Sequence, residues 1–355
     1  MRRDLLLVSM TALLLAADFV APPAQALIPS ERPGVYQIRA REPGTRPRRQ
    51  RAQREQADAA DDSNSGAPHV YKVGPGEEYS NPSDVARRVR SGDTVQIARG
   101  TYSDCVLWPK RVSGLTIVGD NATINGDSCG GKGLFVIAAN NVTIRGITFQ
   151  GAKVADHNGA GIRAQGKNLT VENSRFIGNE NGILGSPIAG STVIIRNSYF
   201  EGNGACISNC AHGIYINKVD RLLVENSEFT DTHHGHHIKS RALKTEIVNN
   251  TVHDGPEGNS SYLVDLPNGG DIVITGNKFE KGPNAENKGV AISIGEEVKQ
   301  KQNPSSQMRI EGNTFSSKLS NQVTFVRNKS NTDVLLKSNK IDGRVEPLSG
   351  PGSVN

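Results

Sequence analysis

The segments NLTVENSRF (168–176), TVIIRNSYF (192–200) and LLVENSEF (222–229) are copies of one pattern, and this pattern decides the fold. Each copy is a short strand of alternating apolar and polar residues, followed by an Asn-containing bend and a final Phe. Alternation with a period of two sends every second side chain to the same face of a strand. Further copies are NVTIRGITF (141–149), TEIVNNTV (245–252), DIVITGNKF (271–279), MRIEGNTF (308–315), DVLLKSNKI (333–341) and an earlier LTIVGDNATI (115–124).

The last residue of each copy marks the repeat. The markers are Phe149, Phe176, Phe200, Phe229, Val252, Phe279, Phe315 and Ile341, in steps of 27, 24, 29, 23, 27, 36 and 26 residues. A second strand such as GIRAQ (161–165) follows each marker, and no helical period lies between strands, which excludes a βαβ fold. A repeat of this length indicates a solenoid whose stacked coils share one core. The sequence therefore predicts an all-β, single-stranded, right-handed parallel β-helix of nine or ten coils over 69–345, with a flexible tail at 346–355.

Asparagines cluster just before the markers. Those three residues before a marker are Asn173, Asn197, Asn226 and Asn249, and those two before it are Asn250, Asn277, Asn313 and Asn339. Asn tolerates a left-handed backbone, and stacked amides can bond from coil to coil. We therefore predict one internal Asn ladder that changes register at Asn249–Asn250.

An open solenoid end exposes its core and must be covered. The segment NPSDVARRVRSG (81–92) predicts an N-terminal cap helix. Asn81 would be the N-cap, Pro82 the first helical residue, and Val85 and Val89 its inner face.

The N-terminus has the features of an export signal. Arg2-Arg3, an apolar run from Leu5 to Val20 and Ala24-Gln25-Ala26 predict a signal peptide over 1–26, with an uncleaved anchor as the alternative. Residues 32–54 carry eight Arg and one acid, which predicts a disordered basic linker over 27–68. The linker could bind an anionic surface or be merely solvated. We expect a secreted or periplasmic monomer with no membrane span and no nucleic-acid partner.

The export signal predicts that the four cysteines form disulfides, because thiols outside a reducing cytosol tend to pair. Three pairings are possible. The short separations favour Cys105–Cys129 with Cys206–Cys210, while free buried thiols remain the alternative.

The second strand of each coil carries the candidate chemistry. If Ile162, Ile183, Ile214, Ile238, Val264 and Ile292 point inward, the residues on the other face are Arg163, Tyr215, Asn217, His237, Lys239, Arg241 and Asp265, fringed by His212, His236 and Asn268. Coils stack about 4.8 Å apart, so these side chains should form one patch. The longest steps add the Cys206–Cys210 excursion and EEVKQKQNPSSQ (296–307), loops that could wall a polymer groove.

Four histidines lie within DTHHGHHIKSRA (231–242), which raises the question of a metal. Imidazole is a common ligand, but this spacing matches no familiar motif. We therefore predict no metal site and no cofactor, with Ca²⁺ left open.

Taken together, these strands resemble the pectin-lyase-like family of right-handed β-helix proteins over about residues 69–345. That family includes polysaccharide lyases, uronan C5-epimerases and some glycosidases. The run HHIKSRALKTEIVNNTV (236–252) is similar to the lysine coil of family-six polysaccharide lyases, and Lys239 matches their catalytic Lys. Their Arg on the next coil is replaced here by Asp265. The paired aspartates of polygalacturonases have no match, which disfavours inverting hydrolysis.

This resemblance implies an acidic polysaccharide as the partner, and a lyase or C5-epimerase is the favoured activity. Both reactions begin with removal of the C5 proton of a uronate. Lys239 or His237 would be the base, and pairing of Lys239 with Asp265 favours His237. Arg241 would neutralise the carboxylate and Tyr215 would donate a proton. The alternatives are a noncatalytic carbohydrate-binding or envelope-structural protein, and a glycoside hydrolase.

Overall fold

The computed structural model describes residues 66–207, 210–299 and 301–355 of the 355-residue chain. The predicted signal peptide and nearly all of the predicted linker lie outside these residues. Within them, no helix has the length and apolar character needed to cross a bilayer.

Strands make up nearly all of the regular structure. In chain order they are β1 (Val70–Val73), β2 (Thr94–Ile97), β3 (Gly100–Tyr102), β4 (Val106–Trp108), β5 (Thr116–Ile124), β6 (Gly133–Ile137), β7 (Val142–Gln150), β8 (Ala160–Ala164), β9 (Leu169–Glu172), β10 (Arg175–Ile177), β11 (Asn181–Gly185), β12 (Ile188–Arg196), β13 (Tyr199–Glu201), β14 (Ala205–Cys206), β15 (Cys210–Ala211) and β16 (Ile214–Ile216). They continue with β17 (Val219–Glu225), β18 (Glu228–Thr230), β19 (His236–Ser240), β20 (Lys244–Val248), β21 (Thr251–His253), β22 (Tyr262–Leu266), β23 (Asp271–Thr275), β24 (Lys278–Lys281), β25 (Val290–Ile294), β26 (Met308–Glu311), β27 (Thr314–Ser317), β28 (Val323–Asn328), β29 (Val334–Lys337), β30 (Lys340–Asp342), β31 (Val345–Ser349) and β32 (Gly352–Val354).

The strands stack in parallel, coil upon coil, as the repeat predicts. The marker residues pair in register from Phe149 to Ile341. The rings of Phe149, Phe176, Phe200 and Phe229 stack inside, with centroids 4.4–5.2 Å apart. The predicted all-β parallel β-helix is confirmed.

The second strands of the coils form a ten-stranded sheet in the order β4-β6-β8-β11-β16-β19-β22-β25-β28-β31. Each strand of this sheet is called a rung below. In β19 and β28 the rung has two consecutive buried positions before its outward residue, and not a strict alternation. Each of these two rungs therefore buries one side chain more than a strict alternation would.

The internal ladder exists, but the predicted change of register is wrong. Its members occupy one column, two residues before each marker: Ser174, Ser198, Ser227, Asn250, Asn277, Asn313 and Asn339. Each side-chain oxygen accepts the backbone N–H of the preceding member. Asn173, Asn197, Asn226 and Asn249 lie outside it, exposed and with φ of 47–55°. Serine fills the ladder in the early coils, while these asparagines form the left-handed bend.

The predicted cap helix is wrong in extent. Only Pro82–Asp84 form a 3-10 helix, and irregular turns follow it. Asp84 accepts the N–H of Asn81 at 2.8 Å, and Val85 and Val89 are fully buried. The segment thus covers the core with its two valines without completing a longer helix.

The predicted flexible tail at 346–355 is also wrong, because this segment completes the last coil. β31 pairs with β28, and β32 pairs with β29. Both predicted disulfides, Cys105–Cys129 and Cys206–Cys210, are present.

Candidate functional site

The outward face of the ten-stranded sheet brings Tyr215, Lys239 and Asp265 into one column. Tyr215 pairs in register with Lys239, and Lys239 with Asp265, so the three occupy consecutive rungs. Lys239 Nζ lies 5.6 Å from the centroid of the Tyr215 ring. A phenol and an amine are thereby presented side by side.

Asp265 ties the amine to the sheet. Lys239 Nζ donates to Asp265 Oδ2 at 2.8 Å, and His236 Nε2 lies 3.4 Å from the same oxygen. The Asp265 side chain is only 4% exposed, and burial raises its pKa despite Lys239 and Arg241 nearby. Raising the pKa of a carboxyl makes it a better proton acceptor.

Arg241 holds the phenol from the other side. Its Nε donates to Tyr215 Oη at 2.8 Å, and its Nη1 donates to Asn268 Oδ1 at 2.8 Å. Both terminal nitrogens bond the Glu297 carboxylate, which raises the pKa of Arg241 and lowers that of Glu297. Asn303 donates to the carbonyl of Arg241, so the predicted loop insertion at 296–307 does border the site.

His212, His236 and Tyr262 form an aromatic stack beside this column. Their successive ring centroids are 4.8 and 5.0 Å apart. Nδ1 of His212 accepts the N–H of His236, and Nδ1 of His236 accepts the N–H of Tyr262. Burial lowers the pKa of both histidines well below the usual range. Each is therefore neutral with its proton on Nε2, and serves as a donor and not as a base.

The prediction of His237 as an outward base is wrong. It is fully buried, Nδ1 lies 2.8 Å from Thr232 Oγ1, and Nε2 lies 3.0 Å from Asp254 Oδ1. Burial lowers its pKa although Asp254 opposes the shift. His237 and the next residue, Ile238, are both fully buried, so the His237 ring cannot reach a polymer on the sheet face.

The remaining predicted residues lie at the margins of the patch. Arg163 lies on the outward column two rungs from Tyr215, with Leu184 between them. Asn217 follows the rung of Tyr215, and its Oδ1 accepts the N–H of Lys218. Asn268 is bound to Arg241, as described above.

Sequence reasoning missed Tyr262 and Glu297. Tyr262 Oη accepts a hydrogen bond of 2.8 Å from Arg327 Nη2. Tyr262 stands one coil after His236 at the same place in the repeat, a signal that aligning the starts of the strands provides. Glu297 lies in an irregular loop, for which the repeat gives no register.

Two family models match the sequence. The model described as the right handed beta helix region matches residues 206–346, and the NosD model, described as a periplasmic copper-binding protein, matches residues 88–260. None of the curated proteins matches the chain.

Among solved structures, the crystal structure of an alginate lyase from Paenibacillus sp. str. FPU-7 superposes on this chain. Its TM-score is 0.54 at 18% identity, and the match covers 80% of this chain and 99% of that one. At this identity the likeness shows the fold alone. The stacked parallel coils and these matches show that the chain has the right-handed parallel β-helix fold.

Proposed function

We propose that this protein acts on an acidic, uronic-acid polysaccharide by removing the C5 proton, as a lyase or a C5-epimerase. One observation carries the proposal: the Tyr215 phenol and the Lys239 amine stand on adjacent rungs, each held by its own partner. The alginate lyase that shares the fold acts on a polymer of this class.

Lys239 takes the role of base, because His237 is fully buried and Nε2 of both His212 and His236 carries a proton. An ammonium must first lose its proton, and Asp265 is placed to accept it at 2.8 Å. Burial favours the neutral acid at Asp265, since desolvation penalises its charge. The raised pKa of Asp265 agrees with this transfer.

The proposed reaction assigns one step to each residue of the column. Lys239 Nζ takes the C5 proton. In a lyase the C5–H electrons form the C4–C5 double bond as the C4–O bond breaks, whereas in an epimerase the C4–O bond stays intact and the adjacent carboxylate holds the electrons. The Tyr215 hydroxyl gives its proton to the departing oxygen in a lyase, or to the opposite face of C5 in an epimerase. Protonation of Asp265 also frees His236 Nε2–H to bond the substrate carboxylate, where negative charge develops. Arg241 acts as a positioning residue for Tyr215.

A glycoside hydrolase is less well supported. Hydrolysis uses two carboxyl groups across the scissile bond. Asp265 is one candidate, but Glu296 is bound to Arg327 and Lys329, and Asp231 accepts the N–H groups of the 257–258 turn. Neither is free to act with Asp265.

Copper, which the NosD description names, does not fit the donors of the described residues. The described ranges contain no cluster of three or more His, Cys, Asp or Glu able to hold a metal, and all four cysteines are in disulfides. His212 and His236 have already engaged Nδ1 with backbone N–H groups. No step of the reaction is therefore assigned to copper.

We further propose that the protein works outside the cytosol, which its two disulfides support. The test of function is to incubate the mature protein with a panel of uronic-acid polymers. Ultraviolet absorbance reports the unsaturated ends that a lyase makes, and exchange of the C5 proton with deuterated solvent reports epimerisation. Binding without either signal would favour a noncatalytic carbohydrate-binding protein.

A further inference from the structure

The outward column of the ten-stranded sheet continues beyond the proposed reaction site. Arg163 on β8 pairs in register with Leu184 on β11, and Leu184 with Tyr215 on β16. Arg163 thus lies two rungs from Tyr215, a distance of about 10 Å along the stack of coils. This is more than the width of one sugar ring.

The Arg163 guanidinium has no partner that accounts for its position. Its Nε is buried without a hydrogen-bond acceptor, and within the described residues no carboxylate forms an ion pair with it. Burial lowers its pKa, while the more distant Asp156 acts in the opposite direction. A half-buried cation with an unsatisfied N–H donor lowers the stability of the fold unless a ligand accepts its hydrogen bond.

A second cation lies near the same strand. Lys132 Nζ is 3.4 Å from Gln165 Oε1, and Gln165 stands two residues beyond Arg163. Gln165 immediately follows β8, so this contact brings the Lys132 charge to the end of the strand that carries Arg163. Leu184 on the intervening rung places an apolar side chain between Tyr215 and the two cations, Arg163 and Lys132.

We propose that Arg163 and Lys132 form a subsite for the carboxylate of a second uronate in the chain whose first uronate lies at Lys239. The polysaccharide then runs across successive rungs, parallel to the stack of coils. Guanidinium groups are well suited to carboxylates because their N–H groups match the two oxygens. The inference rests on the proposed function for the identity of the polymer, but its binding step can be tested apart from turnover.

The experiment measures the affinity of uronan oligosaccharides from dimer to hexamer for Arg163→Ala, Lys132→Ala and Arg163→Lys, each in a Tyr215→Phe background that stops turnover. Arg175→Ala is the matched control, because Arg175 is exposed on β10 of the other sheet and packs over Tyr199. We expect Arg163→Ala to bind the hexamer at least about tenfold more weakly, with the dimer unchanged. Arg163→Lys should retain part of the affinity and Arg175→Ala all of it. Carboxyl-reduced hexamer should bind weakly to every variant.

Three outcomes separate the subsite from the reaction. If Arg163→Ala binds every oligomer as the background does, the subsite is wrong, and turnover by the wild type still supports the proposed function. Equal loss for dimer and hexamer also overturns the subsite, because it would place Arg163 at the first uronate. If the hexamer shows the length-dependent loss but the wild type alters no polymer, the subsite stands and the proposed reaction fails.

Discussion

Lys239 and Asp265 lie on adjacent rungs and are joined by a hydrogen bond of 2.8 Å, while the other carboxylate oxygen of Asp265 is buried without a partner in the described residues. The pair is a structural contact, and under the proposed function it also supplies the base. In water such a pair would remain ionic, but burial raises the pKa of Asp265 and favours the neutral form.

Replacing the amine should remove the reaction. We expect Lys239→Met to lower kcat on the responsive uronan by about 100-fold or more, because general base catalysis contributes roughly that factor. Lys278→Met is the control, since Lys278 is exposed on the other sheet. Steady-state kinetics with ultraviolet detection measures both. Full activity of Lys239→Met would contradict its role as base.

Asp265→Asn tests the proton transfer. The amide keeps the shape of the carboxyl but cannot accept the proton of Lys239, so kcat should fall by at least about tenfold, or about 1.4 kcal/mol in activation free energy. Activity of the variant should increase with pH, because the solvent must then accept the proton that Asp265 accepts in the wild type. A pH–kcat profile of the variant therefore tests the mechanism, and a profile unchanged from that of the wild type would argue against it.

The three buried histidines should make the fold sensitive to acid. Burial lowers the pKa of His212, His236 and His237, so below about 6.5 the unfolded chain binds protons that the folded chain does not. The free energy of unfolding should therefore decrease as the pH falls through 6.5. Urea titrations between pH 7.5 and 5.5 should show a smaller decrease for His237→Gln, and no change in the slope for His69→Gln at an exposed site. Parallel curves for wild type and His237→Gln would contradict this.

Lys281 should make the stability of the fold depend on pH above about 8. It is fully buried near Asp254, and burial lowers its pKa from 10.5 to about 8. Between these values the unfolded chain holds a proton that the folded chain has lost, so stability should rise by up to about 3 kcal/mol as the pH increases from 8 to 10.5. Lys281→Met should remove this rise, whereas Lys278→Met on the same strand should retain it. Denaturant titrations from pH 7.5 to 10 measure this rise, and an equal rise in Lys281→Met would contradict the prediction.

The ladder gives a prediction about stability alone. Asn277 Oδ1 accepts both the N–H and the side-chain amide of Asn250, so Asn277→Ala leaves buried donors unsatisfied. We expect a loss of about 2–4 kcal/mol from the two contacts. Asn226→Gly should cost little, because Asn226 is exposed with φ of 51°, a value that Gly adopts without strain. Comparable losses in urea unfolding would mean that the left-handed bends matter as much as the ladder.

The repeat was predictable because each marker is apolar and each coil returns to the same place. Phe149, Phe176 and Phe200 could be aligned without any structure, and the same alignment placed Tyr215, Lys239 and Asp265 on one face. The ladder was misread because Ser227 and Asn250 perform the same task with different side chains. A count of asparagines alone could not show that.

The burial of His237 also left a trace in the sequence. The same place in the three preceding coils is held by Gly161, Gly182 and Gly213, and a Cβ on Gly182 would lie only 2.4 Å from a backbone oxygen. Such a column of glycines indicates a crowded inward position and not an exposed face. By contrast, Glu297 and its contact with Arg241 could not be foreseen, because loops outside the repeat carry no period.

The ladder that joins Ser227, Asn250 and Asn277 has a consequence for how this protein could gain or lose coils in evolution. Each coil repeats the same local bonds as the one before it. After duplication or deletion of a coil, the coils on either side could therefore still form the ladder hydrogen bonds. The proposed chemistry does not share this tolerance, because Tyr215, Lys239 and Asp265 must come from consecutive coils. A coil gained at either end would lengthen the binding face, whereas one gained between Tyr215 and Lys239 would keep the scaffold and separate the reacting groups.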